Sequence, residues 1–253
     1  MASHRIVVLA AGLALVASGA GAQTPDEPTP EQTAVSCAPL PLLAFSPADA
    51  PHVIGSQDAV ARSVFGTPEL LVTSGGTDRG VQLGQQYFIR RVVRTGATYR
   101  DKLPHTVGTS GWARVVAVNA TTAIISVDHA CADILEGDYL EPYQPPALPA
   151  GDIAAVDTTG EPDFTSFGRI LYGADERQSA GTGEFMLIDR GVNQNVALGA
   201  RFAIYRDIGK GGLPLASVGE AMVVSVGQSM ALIRINKARD AIFAGDLVVP
   251  RSK

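Results

Sequence analysis

The chain has 253 residues, room for one large domain or two of roughly 100 residues each. Its net charge of −5 and 18% charged residues give no overall basic character, which argues against nucleic acid as a partner. With 46% apolar residues, 27 Gly and 16 Pro, the composition is that of a turn-rich globular protein.

The first 22 residues read as a signal peptide. A short basic start, Met1–Arg5, precedes the apolar run Ile6–Ala17, and Ala20 and Ala22 stand at the small-residue positions before a cleavage point. The apolar run is shorter than the roughly 20 residues that span a bilayer, and no later stretch could cross as a helix. The expectation is export to the periplasm or beyond, cleavage after Ala22, and no membrane span in the mature chain. Residues 23–50 carry prolines and acidic and polar residues at first, then prolines among apolar ones, and are predicted as an extended arm.

The next stretch is duplicated. Gly111–Pro142 returns 108 residues later as Gly219–Pro250, with 12 of 32 aligned positions identical. Most identities are small, apolar or turn residues, so what the repeat preserves is a fold. Upstream, an offset of 115 pairs Gly76 with Gly191, Val81 with Val196, Gly84 with Gly199, Ile89 with Ile204 and Arg91 with Arg206. The two offsets differ by seven residues, a loop insertion between Arg91 and Gly111 in the first copy.

Each copy reads as β. Short runs rich in Val, Ile and aromatics are separated by turn residues and lack helix caps. Trp112–Val118 with Ala123–Val127, and Ala221–Val226 with Ala231–Ile235, are predicted hairpins. Five short strands per copy suit a small β-barrel, with Phe167–Tyr172 and the poorer Pro51–Gly55 as added strands. Gly137 and Gly245 are expected in positive-φ turns, and Asp138 and Asp246 as caps of those turns. The segments are then residues 51–143 for the first repeat, a Pro-rich semi-rigid linker at 144–164, and 165–253 for the second repeat.

Two cysteines, Cys37 and Cys131, remain after the leader. An even count in an oxidising compartment predicts one disulfide, closing a loop of about 94 residues; two buried, unpaired thiols are the other reading. The histidines show no metal-ligand spacing, so neither metal nor cofactor is expected. No catalytic constellation stands out either. Gly108-Thr109-Ser110-Gly111 is a fragment of a nucleophile motif placed before a strand, and Gly209-Lys210-Gly211-Gly212 lacks the rest of a phosphate loop. The one uneven charge feature is Arg90–His105, where Arg90, Arg91, Arg94, Arg100 and Lys102 accompany Tyr99 and a single acid, Asp101. It reads either as a solvated hairpin extension or as a contact for an anionic partner. Trp112, replaced by Glu220 in the second copy, is expected to be partly exposed, at an interface or against the Cys37 arm.

The recurring elements, apolar-x-Leu-Gly before the second strand, Gly-x-Ala-x-Val-Val-x-Val across Gly111–Val118 and Gly219–Val226, and Ile-x-x-Gly-Asp before a terminal Pro, carry a resemblance. They are similar to the SH3-like C-terminal domain of flagellar assembly protein T and to a related module of LysM-containing exported bacterial proteins. The resemblance spans Thr67–Pro142 and Thr182–Pro250 and implies two tandem SH3-like β-barrels in the cell envelope, used for contacts. No LysM stretch occurs in this sequence, so cell-wall or flagellar binding does not carry over. The reading is a non-catalytic scaffold that contacts an envelope protein or cell-wall polymer; an accessory binder of peptidoglycan or another envelope glycan or peptide is the alternative. The sequence leaves the oligomeric state open.

Overall fold

The computed structural model describes residues 27–42, 48–93, 106–209 and 214–252. The signal-peptide reading therefore falls outside the described residues, as do Arg94, Tyr99, Arg100 and Lys102. The rest is all-β apart from one α-helix and three short 3-10 turns.

The first copy supplies β1 (Val53–Ser56), β2 (Val64–Phe65), β3 (Leu70–Ser74), β4 (Gln86–Val93), β5 (Thr106–Val118), β6 (Thr122–Ala130), β7 (Ile134–Leu135) and β8 (Tyr139–Pro142). The second supplies β9 (Gly168–Gly173), β10 (Ser179–Ala180), β11 (Phe185–Ile188), β12 (Arg201–Arg206), β13 (Ala216–Val226), β14 (Ala231–Ala238), β15 (Ile242–Phe243) and β16 (Leu247–Pro250). The topologies match strand for strand. The first sheet runs β1-β3-β6-β5-β4-β8, and the second is a closed barrel in the equivalent order, β9-β11-β14-β13-β12-β16. A two-stranded pair flanks each, β2 with β7 and β10 with β15.

The first sheet also brings its edges together. His52 bridges Tyr139, Val53 N–H donates to the Asp138 carbonyl at 2.8 Å, and Gly137 N–H donates to the Val53 carbonyl at 2.8 Å. The second barrel repeats this, with Ile170 and Gly245 donating to Asp246 and Ile170 carbonyls at 2.9 and 2.8 Å. Closure removes the unpaired edges that would otherwise recruit another strand.

Alternation along the strands fills each interior. Leu71, Ile89, Val115, Ile125 and Ile134 are buried in one core; Ile170, Met186, Ile204, Val223 and Ile233 are buried in the other. Two glycine pairs are needed for this geometry. A Cβ on Gly111 would lie 2.2 Å from the His129 carbonyl oxygen, and one on Gly219 would lie 2.5 Å from that of Lys237, so the long hairpins close only without side chains there. Gly137 and Gly245 hold φ of 90° and 94°, as their turn position predicted. Beyond the five strands expected per copy, the structure adds β1 and β9 at the barrel seams, where the sequence had marked Pro51–Gly55 and Phe167–Tyr172. The two-residue pairs are too short to leave a periodic signal.

The arm differs from expectation. Residues 23–50 were predicted as extended, yet Pro30–Cys37 form α1. Its start is locally encoded: Thr29 Oγ1 accepts from Gln32 N–H, the Gln32 side chain accepts from Thr29 N–H, and proline occupies the first helical position. Eight residues are too few to hold a helix alone. Packing supplies the rest, because Val35 and Ala38 are buried against Leu171, Tyr172, Leu187, Val224 and Leu232 on the outside of the second barrel.

The linker is docked rather than free-standing. Ile153 is buried in the same cluster as Val35. Asn236 Nδ2 donates to the carbonyls of Ile153 and Ala155 at 2.9 and 2.5 Å, and Arg201 pairs with Asp157. Among the described residues, no helix is long and apolar enough to cross a membrane.

Candidate functional site

The disulfide is formed. Cys37 at the end of α1 is bonded to Cys131 just beyond β6, with Cα atoms 5.3 Å apart and 94 residues between them in sequence. α1 is thus bonded covalently to the first barrel and packed by apolar contact on the second. Other bonds reinforce the junction. Leu40 N–H donates to the Val107 carbonyl at 3.1 Å, and Tyr172 Oη donates to Thr106 Oγ1 at 3.0 Å across a buried contact between the barrels. Burial, only partly offset by Thr106, raises the Tyr172 phenol above its ordinary value.

His129 lies beside the bridge, its ring nitrogens within 4.8 Å of both sulfurs. This is the one triad of ligand-type groups within mutual reach among the described residues, and its two sulfurs are bonded to each other. Sequence spacing had not suggested the approach, since it arises from the arm.

The partner-binding residues read from the sequence divide three ways. Four lie outside the described residues, as noted. Arg90 is 5% exposed, set over the Phe88 ring at 4.1 Å and donating to Glu141 at 3.1 Å and to Thr109. Burial pulls its guanidinium below the usual value while Glu141 opposes the shift. Arg91 turns to the other face and grips Asp138, with Nε and Nη2 at 2.6 and 2.7 Å from the two carboxylate oxygens. Neither arginine projects freely from a basic loop.

The Arg91–Asp138 pair is a duplicated turn clamp. Asp138 also accepts from Leu135 N–H at 3.0 Å and Ser110 Oγ at 2.9 Å, while Arg91 donates to the Asp133 carbonyl at 2.8 Å. In the second copy Arg206 holds Asp246 at 2.9 and 2.7 Å, Asp246 accepts from Phe243 N–H at 2.8 Å, and Arg206 donates to the Ala241 carbonyl at 2.5 Å. The expected turn-capping role of both aspartates is therefore met, with an arginine partner that residue type alone did not reveal. Ser110 spends its hydroxyl proton on this clamp.

Trp112 was expected to be partly exposed and is 5% exposed. It points outward from β5, but His129 stacks on it at 4.3 Å with planes 15° apart, and Phe88 and Tyr143 complete an aromatic cover at 6.3 and 5.9 Å. Outward strand faces are wet only where nothing else covers them. Burial raises the Tyr143 phenol, as it does those of Tyr87 and Tyr139.

Two cavities occupy the same end of the two barrels. The first, about 490 Å³, is lined by Leu40 and Leu42 of the arm together with Arg79, Tyr87, Leu140 and Glu141. The second, about 350 Å³, is lined by Arg190, Asn195, Val196, Arg201, Phe202 and Arg251, among others. The repeat offsets relate them, since Tyr87 corresponds to Phe202, Arg79 to Gln194 and Pro142 to Pro250. A smaller cleft of about 120 Å³ lies where the bridge, β5 and Tyr172 meet.

Comparison with known proteins adds no name: no protein-family model matches the chain, and no curated protein matches it either.

Proposed function

We propose that the protein is an exported, non-catalytic scaffold of the cell envelope, presenting two SH3-like barrels as one rigid unit. The observation that carries this reading is the Cys37–Cys131 bridge. It fits an oxidising compartment, and it anchors a helix whose other face is buried on the second barrel. The charged groups that could serve a chemical site are engaged in structure. Arg91–Asp138 and Arg206–Asp246 clamp equivalent turns, and Arg90 is buried over Phe88. What remains outward is shape, which suits a role in holding partners.

Expression with the native leader, followed by fractionation and intact mass, tests the export claim. The expected product is a periplasmic or secreted chain beginning at Gln23 with both cysteines oxidised. A cytosolic, full-length, reduced chain would contradict it. The alternative, an accessory that binds peptidoglycan or another envelope glycan or peptide, is favoured by the paired cavities. Co-sedimentation with purified peptidoglycan sacculi separates the two, because a pure scaffold stays in the supernatant.

A further inference from the structure

The two equivalent cavities differ in charge, and the difference is concentrated in one of them. Three arginines line the second-barrel cavity: Arg190, Arg201 and Arg251. The repeat offsets place Gly75, Gln86 and Tyr143 at these positions in the first copy, none of them charged. No Asp or Glu lines the second cavity, whereas Glu141 lines the first. On a chain of net charge −5, three arginines gathered without an acid at one cavity wall are not an echo of composition.

Two of the three are already neutralised from behind. Arg201 pairs with Asp157, and Arg251 donates to both oxygens of Glu220 at 3.0 and 2.7 Å. Arg190 is different. Among the described residues it makes no ion pair; one Nη donates to the Phe167 carbonyl, and Nε is buried without a hydrogen-bond partner. The wall therefore carries about one uncompensated positive charge. Gln194, Asn195 and Ser166 add side-chain amides and a hydroxyl to it. Val196, Phe202 and Pro250 make the rest apolar, and the volume falls near the lower end of the roughly 300–1,000 Å³ common for small-ligand sites.

We propose that this cavity binds a monoanionic carboxylate carried on a small apolar body, of which a peptide C-terminus is the simplest representative. One net charge matches one carboxylate, and the planar guanidinium suits its two oxygens. A dianionic phosphate would leave charge unmatched against the apolar wall. The inference concerns ligand chemistry and does not depend on export or on the scaffold reading, so either can fail alone.

The test is a titration of the ¹⁵N-labelled mature chain by NMR with three probes: N-acetyl-alanyl-alanine, its C-terminal amide, and inorganic phosphate. The free acid should shift the amides of Val196, Gly199 and Ala200 and bind about tenfold more tightly than the amide. Arg190→Gln keeps an N–H for the Phe167 carbonyl and should erase that preference. Ala197→Phe, at an exposed position of the rim, should block binding while leaving the remaining spectrum intact. Arg79→Gln in the first cavity should change nothing. Equal binding of acid and amide, no binding of either, tighter binding of phosphate, or full acid affinity in a folded Arg190→Gln or Ala197→Phe protein would each overturn the proposal.

Discussion

The outer faces of the two barrels solve one packing problem with opposite chemistry. At equivalent positions the first copy sets Trp112 beside Tyr143, and the second sets Glu220 against Arg251. The cross-strand neighbours follow suit, His129 stacked on Trp112 and Lys237 opposite Glu220. Trp112 and Glu220 are both under 10% exposed, so neither solution is a surface accident. A duplicated fold conserves the interior and the turn clamps because the backbone depends on them. Its outward faces are free to diverge, and there one copy became aromatic and joined to the arm while the other became ionic and lines a cavity.

The largest expected effect isolates the arm. Replacing Cys37 and Cys131 with serine should lower stability by about 4–5 kcal/mol on the chain-entropy account of a 94-residue separation, read from the denaturant midpoint. Because Arg239 stands where the first copy has Cys131, the second barrel should lose much less in the same experiment. Next, Trp112→Ala should cost about 4 kcal/mol through loss of a buried aromatic. The exchange variant sharpens the comparison: Trp112→Glu alone should be severely destabilising, and adding Tyr143→Arg should return about 1 kcal/mol or more, measured by a double-mutant cycle. Additivity would show that the two faces are not interchangeable solutions.

The shared clamps should behave alike. Asp138→Asn and Asp246→Asn each leave a guanidinium facing a neutral amide and should cost about 3 kcal/mol, the two values agreeing within about 1. A large disparity would mean that the clamp became dispensable in one copy.

The smallest effect is alkaline and belongs to the first copy and the junction. Tyr87, Tyr139, Tyr143 and Tyr172 have phenols raised by burial. Below the ordinary tyrosine value of about 10 both folded and unfolded chains keep these protons, and the stabilising difference is fully present. Above it the unfolded chain releases protons that the folded chain retains, so stability falls as pH rises further. Tyrosinate absorbance should lag that of the unfolded chain, and Tyr172→Phe should reduce the lag.

The barrels were legible because repetition doubles the signal. Gly111 with Gly219, and Asp138 with Asp246, mark positions that the backbone cannot change, and each proved to be a close approach or a clamped turn. The disulfide followed from cysteine count and compartment. What could not be read depends on chain segments far apart. α1 has a capping box at Thr29 and Gln32, but eight residues become a helix here only because Val35 and Ala38 find a surface on the second barrel. Trp112 alternates outward, and burial came from His129 and Tyr143 on other elements. The cavity arginines lie at 190, 201 and 251, spread over three segments with no local pattern. Arg90 and Arg91 sit in a basic run, yet a strand sends them to opposite faces and different acids.

The account rests most heavily on the arm holding both barrels as one body. Residual dipolar couplings measured separately for the two barrels test this directly. In the oxidised chain they should fit a single alignment tensor, and after Cys37→Ser with Cys131→Ser they should require two. Two distinct tensors in the oxidised chain would contradict the scaffold as described.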